Sequence, residues 1–247
     1  MKTFVINLKT EVKKRNNIDA QCKANGFDYE IVEAVNGREL QDEATHLLAQ
    51  NLSQARLTKG VIGCTLSHLY IYSRMVADNI PYALVLEDDI TITESAKEVI
   101  STVENALQSR SREIYLLNTP EAITPLLKKN LTENVTFYRM ARASQSPAYI
   151  LSLATAKALL EFNYPIKYEV DRWVFFRDYC NIKIWSLPAG VIDSYDQDKQ
   201  ESTLEADRSK VEHERLRYLS ILKKKEKGYQ KKRLVNMILK KISHQVI

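Results

Sequence analysis

Hydrophobic positions along this chain come in short runs separated by charged segments with helical spacing. The first run, Thr3 to Leu8, is apolar and rich in β-formers and predicts a strand. A charged segment containing Arg15 follows and predicts a helix. Tyr29-Glu30-Ile31-Val32 alternates and predicts a second strand, closed by a turn at Asn36-Gly37. Glu39 to Gln50 reads as helix. Beyond Gly60 and Gly63, the residues Ile62, Leu66, Leu69 and Val76 recur at helical spacing. Pro81 then introduces Tyr82-Ala83-Leu84-Val85-Leu86, which is apolar at every position, as a central parallel strand buried on both faces is. That run stops abruptly at Glu87-Asp88-Asp89.

Further along, the pattern predicts a helix over 94–108, a strand over 113–117, strands over 135–140 and 148–152, a helix over 155–162 and a late strand over 182–187. Beyond Glu205 the chain reads as helical and increasingly basic. Alternating strands and helices argue for one α/β domain with a mostly parallel central sheet flanked by helices.

Composition narrows this reading. The 247 residues are 45% hydrophobic and 27% charged, ordinary for a globular protein and too apolar for disorder. No apolar run approaches the roughly 20 residues that span a bilayer, and the N-terminal run is too short for a signal peptide, so a cytoplasmic protein is expected. Three scattered cysteines, Cys22, Cys64 and Cys180, form no C-x-x-C motif and fit a reducing compartment. With only six glycines, the chain has no phosphate-binding P-loop, no G-x-G-x-x-G and no G-x-S-x-G.

The formal net charge of +5 conceals an asymmetry. Residues 208–247 carry 13 Lys/Arg against 3 Glu, whereas residues 1–207 carry 23 basic against 28 acidic residues. The expected division is therefore a catalytic domain over 1–207 and a basic amphipathic helical extension over 208–247. In the extension Leu234, Ile238 and Ile242 share one helical face among lysines, a pattern suited to an anionic membrane surface. The alternative is a stripe packed back on the domain.

Candidate chemistry centres on Glu87, Asp88 and Asp89. In open α/β sheets ligands bind beyond the carboxyl ends of strands. Three adjacent carboxylates need a compensating cation, and hard ions such as Mn²⁺ or Mg²⁺ prefer oxygen ligands. Such an ion bridges a protein to a diphosphate. Asp89 is the expected direct ligand, with Glu87 and Asp88 on metal-bound water or a ribose. An acidic turn or helix cap is the bland alternative.

The triplet has company. Leu57-Thr58-Lys59-Gly60-Val61-Ile62-Gly63-Cys64-Thr65-Leu66-Ser67-His68 precedes it, and the two segments in this order resemble glycosyltransferase family 25. Val5-Ile6-Asn7-Leu8 with Arg15, Glu33-Ala34-Val35-Asn36-Gly37, Ala148-Tyr149-Ile150-Leu151-Ser152, Val170-Asp171, Asp196-Gln197 and Ser202 to Arg208 extend the likeness over residues 3–208. Val61 departs from it, standing where the family often has Glu, and no His occurs near Asp193–Asp196.

The resemblance implies a GT-A-type nucleotide-sugar-binding fold, a divalent metal and inverting transfer of a hexose, galactose by preference, from its UDP form to a lipooligosaccharide core. Asp196 becomes the candidate further metal ligand beside Asp89 and Glu87. Asn7, Arg15 and His68 join Glu87 and Asp88 as candidate contacts to the donor. Inversion needs a base for the acceptor hydroxyl: Asp171 is preferred, Glu169 second. The implied partners are a UDP-hexose and a lipid-linked oligosaccharide at the inner face of the cytoplasmic membrane. Two rivals have less support: phosphoryl transfer lacks a phosphate loop, and a nucleic-acid module using the basic tail conflicts with the acidic body.

Overall fold

The structure is a computed structural model that describes residues 1–195 and 205–246. The first half contains β1 (Lys2–Asn7), α1 (Val12–Ala24), β2 (Tyr29–Glu33), a 3₁₀ turn (Gly37–Glu39), α2 (Asp42–Leu48), α3 (Leu52–Ala55), α4 (Lys59–Ala77), β3 (Tyr82–Glu87), β4 (Ile90–Ile92) and α5 (Ala96–Ala106). Then come β5 (Glu113–Leu116), β6 (Ala122–Asn130), β7 (Thr136–Arg142), β8 (Ala148–Ser152), α6 (Leu153–Asn163) and α7 (Trp173–Tyr179). The chain ends with β9 (Lys183–Ser186), β10 (Ile192–Ser194), α8 (Glu205–Lys225), α9 (Tyr229–Ile242) and β11 (His244–Gln245).

Nine strands form one sheet in the order β11-β6-β7-β9-β5-β8-β3-β1-β2. In this sheet, among the described residues, β1/β2, β1/β3 and β5/β9 are parallel, and β3/β8, β5/β8, β7/β9, β6/β7 and β6/β11 are antiparallel. The mostly parallel sheet expected from the sequence is thus corrected to a mixed one. The reason is physical: an all-apolar run reports that a strand is covered on both faces, not which way its neighbours run. Ala148–Ser152 is buried at all five positions yet runs antiparallel between β3 and β5.

Alternate side chains of the central strands feed two cores. Phe4, Ile6, Val85, Leu116 and Tyr149 pack with α4, α6 and α7 on one face, whereas Val5, Leu84, Leu86, Tyr115 and Ile150 pack with α1 and α5 on the other. Each fully buried Leu, Ile or Phe side chain contributes roughly 1.5–3 kcal/mol. In α4 the buried face carries Ile62, Leu69, Ile71, Tyr72 and Met75, whereas Val76, which shares the helical spacing of Ile62 and Leu69, is 37% exposed.

Residues beyond 207 join this body. On α8, Arg215 and Leu219 are each 4% exposed, and the Arg215 guanidinium donates to the Ala55 and Lys167 carbonyls at 2.9 and 2.8 Å. On α9, Asn236 donates to Asp178 at 2.6 Å and accepts from Arg177, and β11 pairs with the edge strand β6. No residue of α9 is buried, and Leu234, Val235, Met237, Ile238 and Ile242 remain exposed. No helix among the described residues is long and apolar enough to cross a membrane.

Candidate active site

β1, β2 and β3 run parallel, and a cavity of about 460 Å³ opens beyond their carboxyl ends, where Leu8, Ala34 and Glu87 follow or end the strands. Helix α4 closes one wall. Thr58 caps it by accepting the Val61 amide, and Ser67 Oγ accepts from the Val35 amide while donating to the Gly63 carbonyl, both at 2.9 Å. Gly37 and Gly63 are required by close approach rather than by a turn. A Cβ on Gly63 would sit 2.6 Å from the Val35 carbonyl oxygen, and one on Gly37 would meet the backbone carbonyl of Lys59.

Glu87, Asp88 and Asp89 all line this cavity. Glu87 accepts from Ser146 Oγ at 3.1 Å, and His68 Nε2 lies 3.3 Å from its Oε1 as an ion-pair contact without hydrogen-bond geometry. Burial alone would raise the Glu87 pKa, but the His68 ring, the Ser146 hydroxyl and the Lys14 charge outweigh it and hold it below the ordinary value. Asp88 goes the other way: burial raises it despite the Asn7 amide, which donates to Asp88 Oδ2 at 2.6 Å. Asp89 is raised to about 7 by burial and by its neighbour Glu87, against the pull of Lys14. Its Oδ1 is buried and has no hydrogen-bond partner.

The sequence-derived contacts sort themselves in this frame. Asn7 is buried and is not among the residues that line the cavity; its amide donates to Asp88, and its Oδ1 has no hydrogen-bond partner. Arg15 is exposed and is not among the residues that line the cavity, while the preceding residue, Lys14, lines it. Adjacent helical residues are set about 100° apart, so only one of the two can face inward. His68 lines the cavity at 1% exposure, with Nδ1 2.7 Å from the Tyr149 hydroxyl, which is itself 2.6 Å from that of Tyr72. Asp196 lies outside the described residues.

A second cavity, about 440 Å³, adjoins the first and shares Ser144, Asp171 and Arg208 with it. Asp171 therefore borders both. Burial raises its pKa, the Arg208 and Arg172 charges oppose the rise, and its Oδ1 is buried without a partner. Arg208 reaches Oδ2 at 3.4 Å. Glu169 is corrected as a candidate base. It lines only the second cavity, where Arg215 grips it through two hydrogen bonds of 2.9 and 2.7 Å and Arg172 adds a third at 3.1 Å. Burial would raise its pKa, yet these guanidiniums hold it far below the carboxylate range. An ionised carboxylate committed to two arginines is a poor proton acceptor.

Lys14, Ser146, Arg208 and Arg215 had no assigned role at the level of sequence. Arg208 ends a motif quoted above, and its charge in a basic tail concealed it. Lys14 was hidden by the neighbouring arginine of the resemblance.

The chain matches the model of glycosyltransferase family 25 (LPS biosynthesis protein) over residues 1–174. It is 29% identical over 237 residues to a putative glycosyltransferase of Haemophilus influenzae, covering 90% of this chain and 81% of that protein. It is 27% identical over 194 residues to the lipooligosaccharide biosynthesis protein lex-1 of the same species, covering 72% of this chain and 63% of that one. To the procollagen galactosyltransferase 1-A of Xenopus laevis it is 26% identical over 174 residues, which are 64% of this chain but only 27% of that longer protein. With most of the chain matched, and with Glu87, Asp88, Asp89 and Asp171 all inside the matched residues, this protein belongs to glycosyltransferase family 25 and is a glycosyltransferase.

Proposed function

We propose that this protein transfers a hexose, galactose by preference, from its UDP form to a lipooligosaccharide core acceptor, with inversion at the anomeric carbon and with help from Mn²⁺ or Mg²⁺. The observation that carries the reading is the position of Asp171 on the wall common to two cavities, one of which holds the carboxylate triplet. The donor is assigned to the triplet's cavity and the acceptor to its neighbour. The galactose and lipooligosaccharide assignments rest on the named relatives.

The residues fit a hard divalent ion. Asp89 Oδ1 is a buried carboxylate oxygen with no partner, and Asp88 and Asp89 carry raised pKa values, the mark of negative charge that a cation would relieve. Asp89, with Asp88 and Glu87, would hold the ion. Bound there, it would neutralise charge on the diphosphate. Asn7 and Ser146 fix the directions of Asp88 and Glu87, and Lys14 adds a positive charge on the same wall. Asp171 accepts the proton of the acceptor hydroxyl as that oxygen attacks the anomeric carbon. The C–O bond to the nucleotide breaks on the opposite face, and UDP leaves. A carboxylate whose pKa is raised is better matched to that task than one held low by arginines.

The exposed apolar side chains of α9, flanked by Lys231, Lys232, Arg233, Lys240 and Lys241, support docking on an anionic membrane where a lipid-linked acceptor resides. Each basic residue near such a surface contributes about 1 kcal/mol. Serine at Leu234, Ile238 and Ile242 together is expected to abolish binding to anionic vesicles while sparing transfer to a soluble acceptor. Unchanged vesicle binding refutes docking.

The deciding experiment for the activity is a panel of UDP-sugars with Mn²⁺, read as UDP release with and without acceptor. UDP-galactose is expected to be turned over and EDTA to stop it. No turnover of any UDP-sugar overturns the reading.

A further inference from the structure

One group of donors in the first cavity has a chemistry unlike that of the aspartates. Cys64 and His68 are four residues apart on α4 and so share a helical face. Cys64 Sγ, a His68 ring nitrogen and a Glu87 carboxylate oxygen lie within 4.8 Å of one another. Tetrahedral zinc takes sulfur, imidazole and carboxylate ligands at about 2.0–2.3 Å, and three protein ligands with one open position is a common arrangement.

A second observation points the same way. His68 is 1% exposed, and its Nε2 faces Glu87 without forming a hydrogen bond. Nδ1 lies 2.7 Å from the Tyr149 hydroxyl, itself 2.6 Å from that of Tyr72; in the tautomer whose Nδ1–H donates to Tyr149, Nε2 is free to give its lone pair to a cation lying between it and Glu87, in place of the proton that otherwise faces that carboxylate. A partner on the far ring nitrogen is what fixes the tautomer and orientation of a metal-binding histidine.

The geometry points to a site for a soft or borderline divalent cation, of which Zn²⁺ is the type, held by Cys64 Sγ, His68 Nε2 and Glu87. The thiol gives up its proton to solvent as the S–Zn bond forms. Thiolate and imidazole select against Mn²⁺ and Mg²⁺, which prefer the oxygens of Asp88 and Asp89. The two sets share Glu87, so a cation bound to the sulfur set withdraws that carboxylate from the triplet. Inhibition of transfer by Zn²⁺ follows. That consequence alone rests on the proposed function; the binding does not.

The test uses the full chain with Co²⁺ or Zn²⁺ as the sole addition. One equivalent of Co²⁺ is expected to produce a thiolate-to-cobalt charge-transfer absorption, which Cys64→Ser removes. Cys64→Ser is also expected to weaken Zn²⁺ binding by at least ~10-fold, the lower end of what losing even an outer-shell partner costs, while leaving Mn²⁺ binding in place. Absence of the band in the wild type, or equal Zn²⁺ affinity in both proteins, overturns the site. Should Cys64→Ser fail to fold, the wild type supplies the answer. Saturating Zn²⁺ is expected to slow alkylation of Cys64, mapped by mass spectrometry, and an unchanged rate overturns the proposal. Binding without inhibition would leave the site standing and count against the assignment of Glu87 to the catalytic metal.

Discussion

Glu87-Asp88-Asp89 and Glu169 with Asp171 are two carboxylate groups bordering joined cavities, and the chain surrounds them differently. The triplet has one amide, one hydroxyl, one imidazole and one partly buried lysine near it, and two of its three carboxyls are pushed above their ordinary pKa. Around Glu169 and Asp171 stand Arg172, Arg208 and Arg215, and Glu169 is held far below its ordinary value. Carboxylates left short of positive charge are poised to take a cation or a proton. Carboxylates matched by guanidiniums hold helices together: the Glu169–Arg215 pair ties α8 to the segment before α7. Asp171, two residues further on, has the weak 3.4 Å contact instead and keeps one oxygen free of partners. Residue type does not separate the two roles; the local count of opposite charge does.

The sharpest way to break this comparison is Asp171→Asn. If Asp171 is the base, transfer falls by roughly 10²–10⁴-fold while UDP-sugar binding persists. Initial rates and donor binding, measured side by side, check it. Asp89→Ala is expected to cost on the order of 10²–10³-fold in transfer, the scale of losing a preorganised electrostatic group, with an unchanged thermal midpoint. A large fall in that midpoint would move Asp89 to the structural side.

Arg215→Ala tests the opposite cluster. It leaves buried Glu169 with Arg172 as its remaining charged partner and two carbonyls without their donor, so unfolding free energy is expected to drop by about 3 kcal/mol, the lower end for breaking a buried pair, read from the denaturant midpoint. Glu169 also predicts a pH dependence. Because its folded pKa is depressed, its stabilisation is fully present above the unfolded value of about 4.3 and is lost as pH falls below it. The thermal midpoint should therefore decline through that acid range, and less steeply in Glu169→Gln. Equal slopes would detach the pair from stability. The smallest effect expected is at the helix facing the triplet. Lys14→Ala should raise the donor KM about 10-fold, the value of one charge-assisted contact, whereas Arg15→Ala should leave it unchanged.

Much of the site was legible because it is local. Five apolar residues ending in three acids announce both the buried strand and the mouth of the cavity, and α4 follows from the helical spacing of its apolar residues. Strands β1, β2, β5, β8 and β9 were likewise readable from runs of a few residues. Strand β6 was not, since half of it is exposed and it contains Pro125. Helix α7 was hidden within a short aromatic segment.

By itself the sequence determined the α/β class, the acidic edge after Leu86, the likeness that led to the family, and a basic, apolar-striped C-terminal helix. These are properties of neighbours in the chain, where periodicity and residue type act over a turn or a strand. Only the tertiary structure decided that the sheet is mixed, that Lys14 rather than Arg15 faces the triplet, that Glu169 is locked while Asp171 is not, and that Arg215 on the basic helix belongs to the core. Each of those outcomes depends on which charges and apolar faces meet across tens of residues. Burial and pairing, not identity, set what a carboxylate or a guanidinium does there.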